Sequence, residues 1–161
     1  MTVAFHHNML PEAQSILDQI TKITEDSIKR VQDRDFERQQ KANLLLLEGQ
    51  IAARKKDYKT AQSKAEENRR MIESDSSPRK LEGYYGVLAL VEQLQGNYAK
   101  AVDLYKKADQ TILYVKYQYA LALNGAGNRD EAKKIFREVA QYNFNLVDFA
   151  LVRKDAMRQA A

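Results

Sequence analysis

One turn occurs three times along the chain. Lys56-Asp57-Tyr58-Lys59-Thr60-Ala61, Gly96-Asn97-Tyr98-Ala99-Lys100-Ala101 and Gly127-Asn128-Arg129-Asp130-Glu131-Ala132 share a pattern, and the last two agree almost residue for residue. Four residues after each alanine stands Ala65, Tyr105 or Phe136, and three further on stands Asn68, Ala108 or Val139. Seven residues before each turn comes Gly49, Ala89 or Ala120. A self-similar unit of this size constrains the fold strongly, because a unit that cannot bury its apolar face alone must stack on its neighbours. The spacings of three, four and seven are helical, so each copy reads as two helices joined by a polar turn.

Composition agrees. The 161 residues include two prolines, six glycines and no cysteine or tryptophan, with many helix-favouring side chains. Ala, Leu, Glu, Lys, Arg and Gln lose little rotamer freedom in a helix. The predicted fold class is therefore all-α. Helices are predicted at 41–54, 57–74, 79–95, 98–109, 111–125 and 129–142, with Asp57, Asn97 and Asn128 as N-caps. The copies are unevenly spaced, since Ala61 to Ala101 is 40 residues and Ala101 to Ala132 is 31. Ser74-Asp75-Ser76-Ser77-Pro78 is a turn cluster that absorbs the longer interval. The shorter one predicts a tight connection around Asp109-Gln110-Thr111.

The repeated unit resembles the tetratricopeptide repeat, in which small residues let two antiparallel helices approach and an aromatic fills the gap to the next pair. The resemblance covers residues 41–142, as pairs at about 41–74, 79–109 and 111–142. In the first pair Lys56 stands where the turn glycine belongs and Ala65 where the aromatic does. The resemblance implies a right-handed α-solenoid of antiparallel helix pairs. The closing stretch, Glu138 to Asn145 and then Phe149 to Ala156, resembles the C-terminal end of a bacterial group of such repeat proteins, many of them exported.

The flanking segments read as helical too. Residues 1–40 form an N-terminal element, with one long helix predicted over 11–38 behind Pro11 and Glu12. Leu17, Ile20, Thr24, Ser27 and Val31 give it an amphipathic stripe, suited to packing on the first pair or to a coiled-coil homodimer. Residues 143–161 are predicted to cap the last pair with a helix starting at Asn143 or Asn145. Its apolar residues Leu146, Val147, Phe149, Ala150, Val152 and Met157 should turn inward and its polar residues outward.

Little here supplies catalytic chemistry. Without cysteine there is no disulfide framework, iron–sulfur cluster or cysteine-bound zinc. Gly125-Ala126-Gly127-Asn128-Arg129-Asp130 lacks the third glycine of a dinucleotide loop and joins two helices, where that motif needs a strand. Neither a Walker phosphate loop nor a nucleophile elbow occurs. His6-His7 reads as an exposed terminus, and acidic pairs such as Glu66-Glu67 read as solvated charge. The reading is a non-enzyme that takes no cofactor and no metal.

What the resemblance leaves for function is the inner face. In that architecture the first helix of each pair lines a concave groove, which places Asn43, Leu46, Gln50, Ala53 and Arg54 there from the first pair. The second pair contributes Gly83, Gly86, Leu90, Gln93 and Leu94, and the third Tyr114, Tyr117, Leu121, Asn124 and Gly125. Aromatic and amide side chains suit a peptide or helix of a protein partner, although the same residues could pack on a terminal helix of the chain itself. The lysine and asparagine with which some members hold a chaperone tail have no counterpart at Leu46, Gln50, Gly86 or Leu90, but Arg54 could attract an acidic ligand.

Charge offers another reading. Residues 1–40 carry five basic and seven acidic side chains, and the remainder 21 and 15, for +4 overall. Within residues 54–70, Arg54, Lys55, Lys56, Lys59, Arg69 and Arg70 are candidates for nucleic acid or an anionic surface. No apolar run is long enough to span a bilayer, the run Leu44 to Leu47 ending at Glu48. Met1 to His7 is not patterned as a signal peptide. A cytoplasmic location is expected of the sequence as it stands, and an exported one if it is a piece of a longer chain.

Overall fold

The computed structural model describes residues 1–142 and 146–161. Those residues form helices and connections with no strand. In chain order they are α1 Thr2–His6, α2 Leu10–Val31, α3 Arg34–Arg54, α4 Tyr58–Met71, α5 Glu82–Leu94, α6 Tyr98–Tyr105, α7 Leu113–Gly125, α8 Arg129–Ala140 and α9 Val147–Ala160. Each helix from α2 to α9 packs on its neighbours in sequence, α3 also meets α5, α7 meets α9, and α1 touches both α2 and α9.

The three repeated turns share one backbone. Lys56, Gly96 and Gly127 all take positive φ, at 64°, 83° and 86°. Their N–H groups donate to Ala53, Gln93 and Asn124, and the next N–H groups donate to Ala52, Glu92 and Leu123 at 2.9 Å. This paired pattern closes the last turn of a helix around a left-handed residue, satisfying carbonyls that would otherwise be orphaned. Glycine adopts that conformation freely, whereas Lys56 holds it at a cost of roughly 1 kcal/mol.

The repeated positions are also the buried ones. Ala61, Ala101 and Ala132, with Ala65, Tyr105 and Phe136, are at most 2% exposed. Asn68, Ala108 and Val139 are buried, as are Gly49, Ala89 and Ala120. Small side chains let the helices close up: a methyl group on Gly49 would lie 3.1 Å from Val87 Cγ1 and 3.4 Å from the Ala61 carbonyl. Successive pairs meet through tyrosines at corresponding positions. Tyr58, opening α4, donates its hydroxyl to the Leu94 carbonyl at the end of α5, and Tyr98, opening α6, lays its ring over Gly125 at the end of α7.

Several boundaries differ from expectation. The helix predicted over 11–38 is two helices, because Gln32 turns left-handed at φ 53° and Asp33 caps the next helix by accepting from the Phe36 N–H at 2.7 Å. The first inner helix therefore begins at Arg34 rather than 41. In α2, Leu17 and Thr24 are buried against α3, while Val31 of the predicted stripe is 52% exposed. Helix α6 stops at Tyr105 instead of 109, where Gln110 Nε2 donates to the Tyr105 carbonyl at 2.6 Å.

Asp57 caps α4 through the Thr60 N–H at 3.1 Å, as predicted. Asn97 and Asn128 occupy the corresponding positions without side-chain caps, and Asn97 Nδ2 donates instead to Glu92 Oε2. The predicted starts of the last helix, Asn143 and Asn145, lie outside the described residues. In α9, Val152 and Ala156 are fully buried, but Leu146 just ahead of it and Val147, Ala150 and Met157 within it are exposed, against the expected inward turn. The long connection before α5 is pinned at both ends. Arg38 pairs with Asp75, and Arg79 joins Glu82 to Asp109, each at 2.8 Å.

Candidate functional site

Helices α3, α5 and α7 bring most of the predicted inner-face residues together in two adjoining hollows. The inner one, about 170 Å³, is lined by Leu46, Gln50, Arg54, Gly83, Gly86, Leu90 and Tyr114, joined by Tyr105, Ala108 and Gln118. The outer cleft, about 520 Å³, is lined by Arg54, Leu90, Leu94, Tyr114, Tyr117 and Leu121 on one side. Phe5, His6, His7 and Asn8 line its other side, with Asp155. Arg54 belongs to both walls.

Helix α1 thus lies against the predicted groove. The Arg54 guanidinium carbon sits 4.0 Å from the centroid of the Phe5 ring, a cation–π contact. The His6 ring lies 5.9 Å from Tyr114 and 6.2 Å from Tyr117, and His6 Nε2 is 3.7 Å from Asp155 of α9. The expectation of an exposed histidine terminus holds for His7 alone. Phe5 is 7% exposed, packed with Ala4, Ala13, Leu17 and Ile51, and that packing draws His6 inward beside it.

Not every predicted residue reaches the site. Asn43 and Asn124 are exposed outside both hollows, Ala53 is fully buried in the core, and Gly125 is exposed outside both hollows with the Tyr98 ring beside it. Gln93 is committed to the fold: it accepts from the Tyr105 hydroxyl at 2.6 Å and donates to Gln118 Oε1 at 3.2 Å. The repeat pattern marks Tyr105 only as a gap-filling aromatic, and Gln118 carries no signal beyond lying one turn from Tyr114.

The electrostatics of the site follow from burial. Burial pushes the Arg54 guanidinium below its usual value, opposed by the Tyr114 and Tyr105 hydroxyls. Its Nη1 donates to the Gln50 carbonyl at 3.2 Å. Burial pushes Tyr105 and Tyr114 up, and raises Tyr117 to about 12 with help from Asp155 and Tyr114.

The six basic candidates of residues 54–70 do not share one free face. Arg54 points into the site, Lys55 Nζ donates to Gln14 at 2.9 Å, and Arg69 pairs with Glu66 at 2.8 Å. Among the described residues no group of three or more acidic or histidine side chains is placed to hold a metal. Nor is any helix among them long and apolar enough to cross a membrane.

The class defined by these observations is an all-helical protein whose helices pack consecutively, with paired hollows between α3, α5 and α7. Comparison with protein-family models, curated proteins and solved structures finds no match.

Proposed function

We propose that the chain is a non-catalytic protein–protein interaction module, a tetratricopeptide-like right-handed solenoid whose inner face receives a short helix or peptide of a partner. The observation that carries this reading is the position of α1. A short helical segment, with Phe5 on Arg54 and His6 beside Tyr114 and Tyr117, already occupies the face assigned to a ligand. The recurrence of one turn geometry, one set of buried positions and one tyrosine position supports the repeat architecture.

The test is to remove residues 1–8 and supply a labelled peptide of residues 1–9 in trans. The truncated chain should bind it. The full chain should bind at least about tenfold more weakly, because a tethered occupant competes at millimolar effective concentration. Leu94→Asp, at an exposed groove position, should weaken binding without unfolding the chain. A folded truncated chain that ignores the peptide, or partners that cross-link only to α4, α6 and α8, would overturn the proposal.

One observation favours self-association as a second reading. Ile23 and Val31 are 66% and 52% exposed on α2, an apolar surface available to a second copy. Light scattering that reports only monomer at high concentration would exclude it.

A further inference from the structure

The inner hollow poses a problem that α1 does not solve. Arg54 carries a half-buried positive charge, yet no carboxylate among the described residues pairs with it. Its partners are a backbone carbonyl, the face of a phenyl ring and tyrosine hydroxyls, all neutral. Other arginines, namely Arg38, Arg69, Arg79 and Arg158, each meet an acid. A buried cation without a counter-ion costs free energy that a bound anion would recover.

Space exists for that anion. Gly86 and Ala108 leave the hollow open, and a methyl group on Gly86 would meet only Ala108 Cβ, at 3.9 Å. Around it stand Arg54, Tyr114 and the amides of Gln50 and Gln118, donors matched to two carboxylate oxygens. Two acids also line the hollow, Glu82 and Asp109, and Arg79 holds both at 2.8 Å. The single Arg79 charge offsets one of the two, and neither acid is paired with Arg54. Phe5 does not line this hollow, so α1 need not move for it to fill.

We propose that the hollow between α3, α5 and α7 is a carboxylate-binding site centred on Arg54, taking either a small organic acid or the acidic side chain of a peptide. The site goes beyond the groove proposal and does not depend on it. A volume of about 170 Å³ holds one carboxyl group with a short aliphatic stem.

Nuclear magnetic resonance on the full chain tests this directly, reading the Arg54 Nε–H and Gln118 side-chain amide signals. Acetate and succinate form one arm, and a short Asp/Glu-containing peptide with an amidated C-terminus forms the other. Saturable shifts of both signals are expected in at least one arm; the first arm identifies a free acid and the second a peptide-borne one. Arg54→Gln should weaken the Gln118 response at least tenfold. Tyr114→Phe, which keeps the ring, should weaken it several-fold and serves if Arg54→Gln does not fold. Silence of both signals in both arms to about 50 mM, a range that reaches millimolar dissociation constants, would overturn the proposal. So would a Gln118 response unchanged in folded Arg54→Gln. Failure of the truncated chain to bind the α1 peptide bears on the groove alone.

Discussion

The Arg54 guanidinium rests on the Phe5 ring at 4.0 Å, so the first helix is fastened to the third by a cation on an aromatic face. The contact joins residues 49 positions apart and places α1 over the outer cleft. Phe5 also fills a small core with Ala4, Ala13, Leu17 and Ile51.

Phe5→Ala should therefore release α1. Truncating a buried phenylalanine costs about 3–5 kcal/mol in a core, more than five residues of isolated helix can supply. Hydrogen exchange should show amide protection lost over Phe5 to Met9 while α7 and α8 stay protected. Unchanged protection would mean that α1 is held by other contacts.

The turns make a matched pair of predictions. Lys56→Gly removes the strain of a side chain at φ 64° and should raise stability by roughly 0.5–1 kcal/mol after the entropy of a freer unfolded chain is subtracted. Gly96→Ala and Gly127→Ala impose that strain and should each lower it by about 1 kcal/mol. Thermal melts would separate them by a few degrees in opposite directions.

Gly49 and Gly86 should respond oppositely to the same change. Gly49→Ala presses a methyl group to 3.1 Å from Val87 and should cost about 1–3 kcal/mol. Gly86→Ala meets only Ala108 at 3.9 Å, and the gain in helix propensity should leave stability equal or about 1 kcal/mol higher. Denaturant midpoints of the two variants decide the matter.

Alkaline pH should destabilise the fold through its tyrosines. Burial raises Tyr117 to about 12, and raises Tyr84 and Tyr119 to about 12 with help from Glu66 and Glu131. The folded state keeps these protons while the unfolded chain loses them from its ordinary value of 10.0 upward. Stabilisation is whole below that pH and falls as pH climbs to the folded values. Melting temperature should decline across that window, and a phenolate absorbance titration should show a late-ionising class.

At the acid end Glu92 acts in the opposite sense. Burial opposes its ionisation, but Lys100 Nζ at 2.6 Å and Asn97 Nδ2 at 2.9 Å prevail, holding the carboxylate below its ordinary 4.5. Its contribution is present above that pH and is lost as pH falls through the folded value. Glu92→Ala should cost about 1–3 kcal/mol near neutrality and flatten the acid limb of the stability curve. An unaltered acid limb would show that another carboxylate governs it.

Local chemistry made some of this structure readable in advance. The Gly-Asn turns, the alanine spacing and the polar cluster before Pro78 announce helix ends and close contacts without long-range information, and even Lys56 lies where the alignment put a glycine. The break between α2 and α3 has no glycine or proline to mark it. Asp33 ahead of Asp35 and Glu37 was the available sign, and the apolar period runs on past it. The resemblance puts Leu46, Gln50, Arg54, Gly86, Leu90 and Tyr114 on one face, and the six line one hollow. The absence of a carboxylate paired with Arg54 does not follow from it, since that depends on how the acids lining the hollow, Glu82 and Asp109, are taken up by Arg79. The docking of α1 was hidden for a related reason: five residues show no period, and the contacts that place them lie in α3, α7 and α9.

The meeting of His6 with Asp155 brings the two end helices into contact. Tension applied between the termini would therefore be carried first by α1 and its seat on Arg54, peeling that helix away before the paired helices feel the load. New ends could be opened among the exposed Ser76, Ser77 and Pro78 once a linker bridges the two terminal helices. A chain rewired in that way should keep every helix contact from α2 to α9.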